Sequence, residues 1–154
     1  MRRLSRVACI LTTTFFAALG LSAVPAAAAE PTPAVCTKTA KTVEDGLTVF
    51  ARELSNVTKA ADSGDMTAAD QSVKKAGTSL VDLAANLRTD AATADAADVK
   101  TTLGQLADEF EAQGKSLTTV ESLQKLDVTR IDALSDQMIA ICAAASSTTT
   151  PTPR

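Results

Sequence analysis

The chain contains no histidine, no tryptophan and no tyrosine. Without histidine it lacks the most frequent general base and the most frequent metal ligand. Serine or cysteine triads of the usual His-dependent form cannot be built, nor can zinc sites of the Cys/His type. Haem ligation would fall to Met66 or Met138, and both fit a packed core better. Aromatic residues amount to four phenylalanines, two of which, Phe15 and Phe16, lie near the start. That leaves Phe50 and Phe110 as the aromatics of the body of the protein.

The N-terminal region reads as an export signal. Arg2, Arg3 and Arg6 form a basic start, residues 7–24 are mainly apolar, and small residues follow. Ala27-Ala28-Ala29 suits cleavage before Glu30. A retained membrane anchor is the rival reading, since the apolar run approaches the shortest spanning length. Thr12, Thr13, Thr14 and Ser22 dilute that run. Twin-arginine export through Arg2-Arg3 and lipid modification at Cys36 fit the flanking residues poorly. The expectation is a protein secreted or otherwise extracytoplasmic, with no stable membrane insertion after cleavage.

The cut separates the charges. Three of the fifteen basic residues precede it, whereas all eighteen acidic residues follow it, leaving a net charge of −6. A nucleic-acid partner calls for a basic footprint, and an anionic lipid surface calls for the same. Neither is expected. The cut also removes Cys9 and leaves Cys36 and Cys142, an even number that pairs in an oxidising compartment. The alternative, a redox pair, normally has its cysteines close together. A structural Cys36–Cys142 disulfide is the expectation.

Apolar residues from Cys36 onward recur at alternating steps of three and four, the mark of amphipathic helices. The first stripe is Cys36, Ala40, Val43, Leu47, Phe50, Leu54, Val57 and Ala61. Residues 62–65 interrupt it, with Gly64 suited to a left-handed position and Asp65 to an N-cap. The second stripe runs Met66, Ala69, Val73, Ala76, Leu80, Leu83 and Leu87. Residues 89–97 form a second break, with Asp95 the expected N-cap and Asp98 in the following first turn. The third stripe is Val99, Leu103, Leu106, Phe110, Gln113, Leu117 and Val120. After a break at residues 122–127, a fourth carries Ile131, Leu134, Met138, Ile141 and Ala145, flanked by Ile139 and Cys142. Short connections favour antiparallel neighbours. The expected fold is therefore all-α: an antiparallel up-down-up-down four-helix bundle closed by one disulfide. The expected division is a signal peptide over residues 1–29, the bundle over 30–145 and a disordered Ser/Thr/Pro tail over 146–154. The tail composition also suits a glycosylated stalk.

Few residues suggest chemistry. Asp90, Asp95 and Asp98 lack the turning glycine and bidentate glutamate of a calcium loop, and read as helix caps. Asp108, Glu109 and Glu111 read as a solvated helix face, and Lys74-Lys75 as a surface pair. Gln113 is the polar member of an apolar stripe. It fixes register, lines a pocket or lies at the stripe's edge. Phe50 and Phe110 read as core; grouped around a gap, with Gln113, they would form an apolar pocket between helices. No catalytic residue, metal ligand or cofactor site is expected.

From Cys36 to Cys142 the chain resembles small secreted helical proteins of high-GC Gram-positive bacteria. The resemblance lies in Cys36 at the opening of the first helix, the turn Ala94-Asp95-Ala96-Ala97-Asp98-Val99-Lys100 and the closing segment from Leu134 to Cys142. It implies an extracytoplasmic helical protein and carries over no activity or site. Two functions follow as expectations. One is a non-catalytic interaction or structural module for an extracytoplasmic protein or cell-envelope component. The other is a carrier of a small apolar ligand between the helices.

Overall fold

The computed structural model describes residues 29–147. The signal-peptide reading falls on residues outside that range, apart from Ala29, as does the tail beyond Ser147. The described chain is all-α, with α1 at Thr32–Asp62, α2 at Met66–Thr93, α3 at Ala97–Ser116, α4 at Val120–Leu123 and α5 at Thr129–Ser147. The count is five helices rather than four. The addition is the single turn α4, in a stretch that apolar periodicity cannot resolve because one turn is shorter than the period test requires. Its start is held by Asp70 of α2, whose carboxylate accepts from the Val120 N–H at 2.8 Å.

Local chemistry explains the boundaries. Pro31 precedes α1 and Pro33 lies in its first turn, where a missing N–H costs nothing. Gly64 has φ of +79° in the α1–α2 turn, a conformation glycine adopts without steric penalty. Asp65 caps α2 by accepting from the Ala68 N–H at 2.9 Å. The α2–α3 break differs from expectation. Helix α2 continues to Thr93, and the residue preceding α3 is Ala96, with no side-chain cap. Asp95 instead donates its backbone N–H to the Glu30 carbonyl at 3.1 Å, while the Glu30 N–H donates to the Thr93 carbonyl at 2.6 Å. Pairing with the strand-like Glu30 segment thus takes the place of an Asp95 cap. Asp98 does occupy the first turn of α3 and accepts from its neighbour Val99.

Helix α2 packs against both α1 and α3, and α5 leans on α3 with a sparser contact to α1. The stripe expected for α2 is the core: Ala69, Val73, Ala76, Leu80, Leu83 and Leu87 are buried, while Met66 at its start is exposed. Each buried leucine contributes about 1.5–3 kcal/mol. From α3, Val99, Leu103, Leu106 and Phe110 meet them. Gly77 of α2 and Gly114 of α3 let the two backbones touch. A Cβ on Gly114 would stand 2.6 Å from the Gly77 carbonyl oxygen, and a Cβ on Gly77 would collide with the Gly114 carbonyl in turn.

Helix α1 is rotated from the expected register. Its buried residues are Val35, Thr39 and Val57, and Gly46 lies against Leu83, which would be 2.9 Å from an added Cβ. The docked ridge therefore includes positions 35, 39, 46 and 57. It shares Val57 with the apolar stripe and is otherwise shifted about one residue from it. The first part of the apolar stripe, Cys36 to Phe50, with Leu47 40% exposed and Ala40 exposed, faces the gap between α1 and α5.

Cys36 and Cys142 form a disulfide with a Cα–Cα distance of 5.8 Å. It ties the first turns of α1 to the second half of α5. Ser146 and Ser147 are still helical, and their hydroxyls donate to the Cys142 and Ala143 carbonyls. Helix α5 thus continues two residues into the stretch read as tail. No helix among the described residues is long and apolar enough to cross a membrane.

Candidate functional site

The loose α1–α5 seam creates a cleft. Beside the disulfide is a recess of about 520 Å3, walled by Cys36, Ala40 and Val43 from α1, Leu106 from α3, and Met138 and Ile139 from α5. A second recess of about 320 Å3 continues along the seam and contains Phe50, Phe110 and Gln113. The two share Val43, Leu106 and Ser135 in their walls. Through these shared walls they adjoin as an apolar, channel-like seam between the disulfide and the start of α5. Both volumes lie within the range of small-molecule sites, about 300–1,000 Å3.

The rim is apolar as well. Leu47, Val128 and Ile139 are three of the five large hydrophobic side chains exposed among the described residues, and all three border the cleft. Scattered exposed hydrophobics are ordinary, whereas a contiguous group marks a contact surface. Phe110 is buried at the floor and Phe50 half-buried in the wall. The structure thus brings the candidate pocket residues Phe50, Phe110 and Gln113 together.

Gln113 has a second task. Its side-chain amide donates to the Asp127 carbonyl at 3.0 Å. The Asp127 carboxylate accepts from the Thr129 N–H at 3.0 Å at the start of α5. Hydrogen bonding to Thr129 holds the Asp127 carboxyl below its ordinary range. Gln113 and Asp127 together fix where the chain turns into α5, and so set the mouth of the cleft.

At the contact of α1 with the end of α2 lies a polar centre that apolar periodicity cannot reveal. Asp90 reads from sequence as a helix cap; in the structure it is buried, 2% exposed, in the last turns of α2. Its carboxylate accepts from the Thr42 hydroxyl at 2.8 Å and, more weakly, from the Thr39 hydroxyl at 3.5 Å. The Lys38 ammonium is 3.2 Å from the same carboxylate and 3.6 Å from Glu30. The hydrogen bond to Asp90 raises the Lys38 pKa above its ordinary value. A buried charge persists when it is paired and hydrogen-bonded. This arrangement explains why α1 docks through Thr39 and its neighbours and leaves its apolar stripe to the cleft. The available signal was the spacing of Lys38, Thr39 and Thr42 on one face of α1.

The remaining acidic candidates are ion-paired. Arg88 of α2 pairs with Asp108 at 2.8 Å and Glu111 at 2.5 Å, and Arg130 of α5 pairs with Glu109 at 2.7 Å. Lys115 also pairs with Glu111, and the hydrogen bonds from Lys115 and Arg88 lower the Glu111 pKa. The expected solvated face therefore also carries links between helices. Lys74 and Lys75 are exposed. Among the described residues, no group of three or more His, Cys, Asp or Glu is placed to hold a metal ion. Thr102 is buried in α3 and its hydroxyl has no hydrogen-bond partner; nothing in the structure explains that cost.

No family model, characterised protein or solved structure matches this chain.

Proposed function

We propose that the protein is a non-catalytic, extracytoplasmic binder of a small apolar ligand, held in the α1–α5 cleft. The observation that carries this reading is the pair of adjoining apolar recesses between the disulfide and Phe110, which share Val43, Leu106 and Ser135. The four long helices are read as an antiparallel up-down-up-down bundle with α4 inserted before the last. The short connections and the disulfide between the start of α1 and the second half of α5 support that arrangement. The disulfide is compatible with export, and the basic-apolar-small pattern of residues 1–29 and the bacterial secreted-protein resemblance support it.

The exposed Leu47, Val128 and Ile139 favour a second reading, in which the same face docks an extracytoplasmic protein or envelope component. Native mass spectrometry of the secreted, oxidised protein separates the two. A ligand carrier retains an added mass of small-molecule size, lost in an Ala40→Phe variant that fills the cleft. An empty protein that exchanges no apolar probe contradicts the carrier reading. Recovery of a protein crosslinked through positions 47, 128 and 139 on intact cells would favour the docking reading.

A further inference from the structure

The charge around the cleft defines which apolar molecules it suits. Among the described residues, neither recess has a lysine or arginine in its wall. One charged side chain lines the channel: Asp132, in the first turn of α5. Asp132 is exposed and its carboxylate makes no ion pair or side-chain hydrogen bond among the described residues.

The neighbouring polar groups have the same character. Gln113 donates one of its two amide N–H groups to the Asp127 carbonyl, and its Oε1 is available as an acceptor. Ser135, one turn beyond Asp132, brings a hydroxyl that also accepts. The end of the channel near α4 and α5 thus offers acceptors and a negative charge. The disulfide end offers an apolar recess. A carboxylate or phosphate head would meet Asp132 with no cation in the walls to offset the repulsion, since the nearby Arg130 is paired with Glu109. An ammonium head has N–H donors for all three groups.

Resting on the ligand-binding reading above, we infer that the cleft selects a single-chain amphiphile with a cationic amine head. The head sits at Asp132, Gln113 and Ser135, and the tail runs past Leu106 and Met138 toward the Cys36–Cys142 disulfide. No bond is made or broken; recognition is by charge, donor–acceptor match and apolar burial.

The test is calorimetric titration of the oxidised full chain with dodecylammonium and with dodecanoate, at neutral pH and below their micelle-forming concentrations. The amine is expected to bind at least about tenfold more tightly, a difference of about 1.4 kcal/mol. Asp132→Asn should remove most of that preference. Asp62→Asn, which makes the same change of net charge at the end of α1, should leave it intact. Equal losses in the two variants would overturn the inference, because attraction by the whole acidic surface would then explain the preference. Equal or tighter binding of dodecanoate would overturn the amine-head assignment while leaving the apolar cleft as the binding site. Failure of both probes to bind would overturn the site itself.

Discussion

Replacing Asp90 with alanine should destabilise the protein far more than any exposed acidic substitution. Its carboxylate is buried and accepts from Thr42 at 2.8 Å, a hydrogen bond to a charged group worth about 1.5–3 kcal/mol. The Thr39 hydroxyl, itself buried, is 3.5 Å away and adds less. Lys38 is 41% exposed along its side chain, so solvent screens its ion pair and it adds little beside the buried hydrogen bond. The combined cost is about 2–4 kcal/mol, or roughly 8–16 °C in melting temperature for a domain of this size. Asp90→Asn keeps an acceptor for Thr42 and should cost about half as much. Asp108→Ala is the control, because Arg88 keeps Glu111 as a partner; its cost should be under about 0.5 kcal/mol. Urea unfolding of the oxidised protein, followed by circular dichroism, measures all three. If Asp90→Ala and Asp108→Ala unfold at the same urea concentration, Asp90 does not anchor α1 on α2.

Reduction of Cys36–Cys142 releases a cross-link between residues 106 apart in sequence. The chain-entropy model gives it up to about 4.7 kcal/mol, so a thermal melt with reductant should fall by about 15–20 °C; coincident melts would contradict this. Gly114→Ala should cost about 1–3 kcal/mol through overpacking, despite the better helix propensity of alanine, because its Cβ would strike the Gly77 carbonyl. Gly104→Ala, with open space around the added Cβ, should gain up to about 1 kcal/mol; chemical denaturation of the pair checks the sign of each. Glu111 has a lowered folded-state pKa, so its stabilisation is present above the ordinary value of 4.5 and fades as pH falls through the lowered one. Glu111→Gln should flatten the loss of stability as pH falls below 4.5 in acid unfolding curves, and an unchanged slope would refute the role of the ion pairs with Arg88 and Lys115.

The regular parts of the fold were legible because apolar burial drives them. The α2 stripe is buried as its periodicity implies, apart from Met66 at its solvent-exposed start. Gly64 and Asp65 turn and cap the chain through residue-specific backbone chemistry. Helix α1 was harder to read because its docking face is partly polar. Thr39 and Thr42 bind Asp90, and Gly46 admits Leu83; none of these signals appears in a hydrophobic stripe. The polar docking ridge turns the apolar stripe away from α2. That displacement, with the sparse α1–α5 packing, makes the cleft. Phe50, Phe110 and Gln113 could be named from the sequence as a group, but their meeting depends on the rotation of α1. The Asp95 cap failed for a related reason: Glu30, distant in sequence, supplies the partner for that turn.

The cleft is tested most directly by methyl NMR of the oxidised protein during titration with dodecylammonium. Shifts confined to Val43, Leu106, Met138 and Ile139, absent in Ala40→Phe, are the predicted result. Shifts spread across the α2–α3 core, or none at a concentration that saturates calorimetric binding, would contradict it.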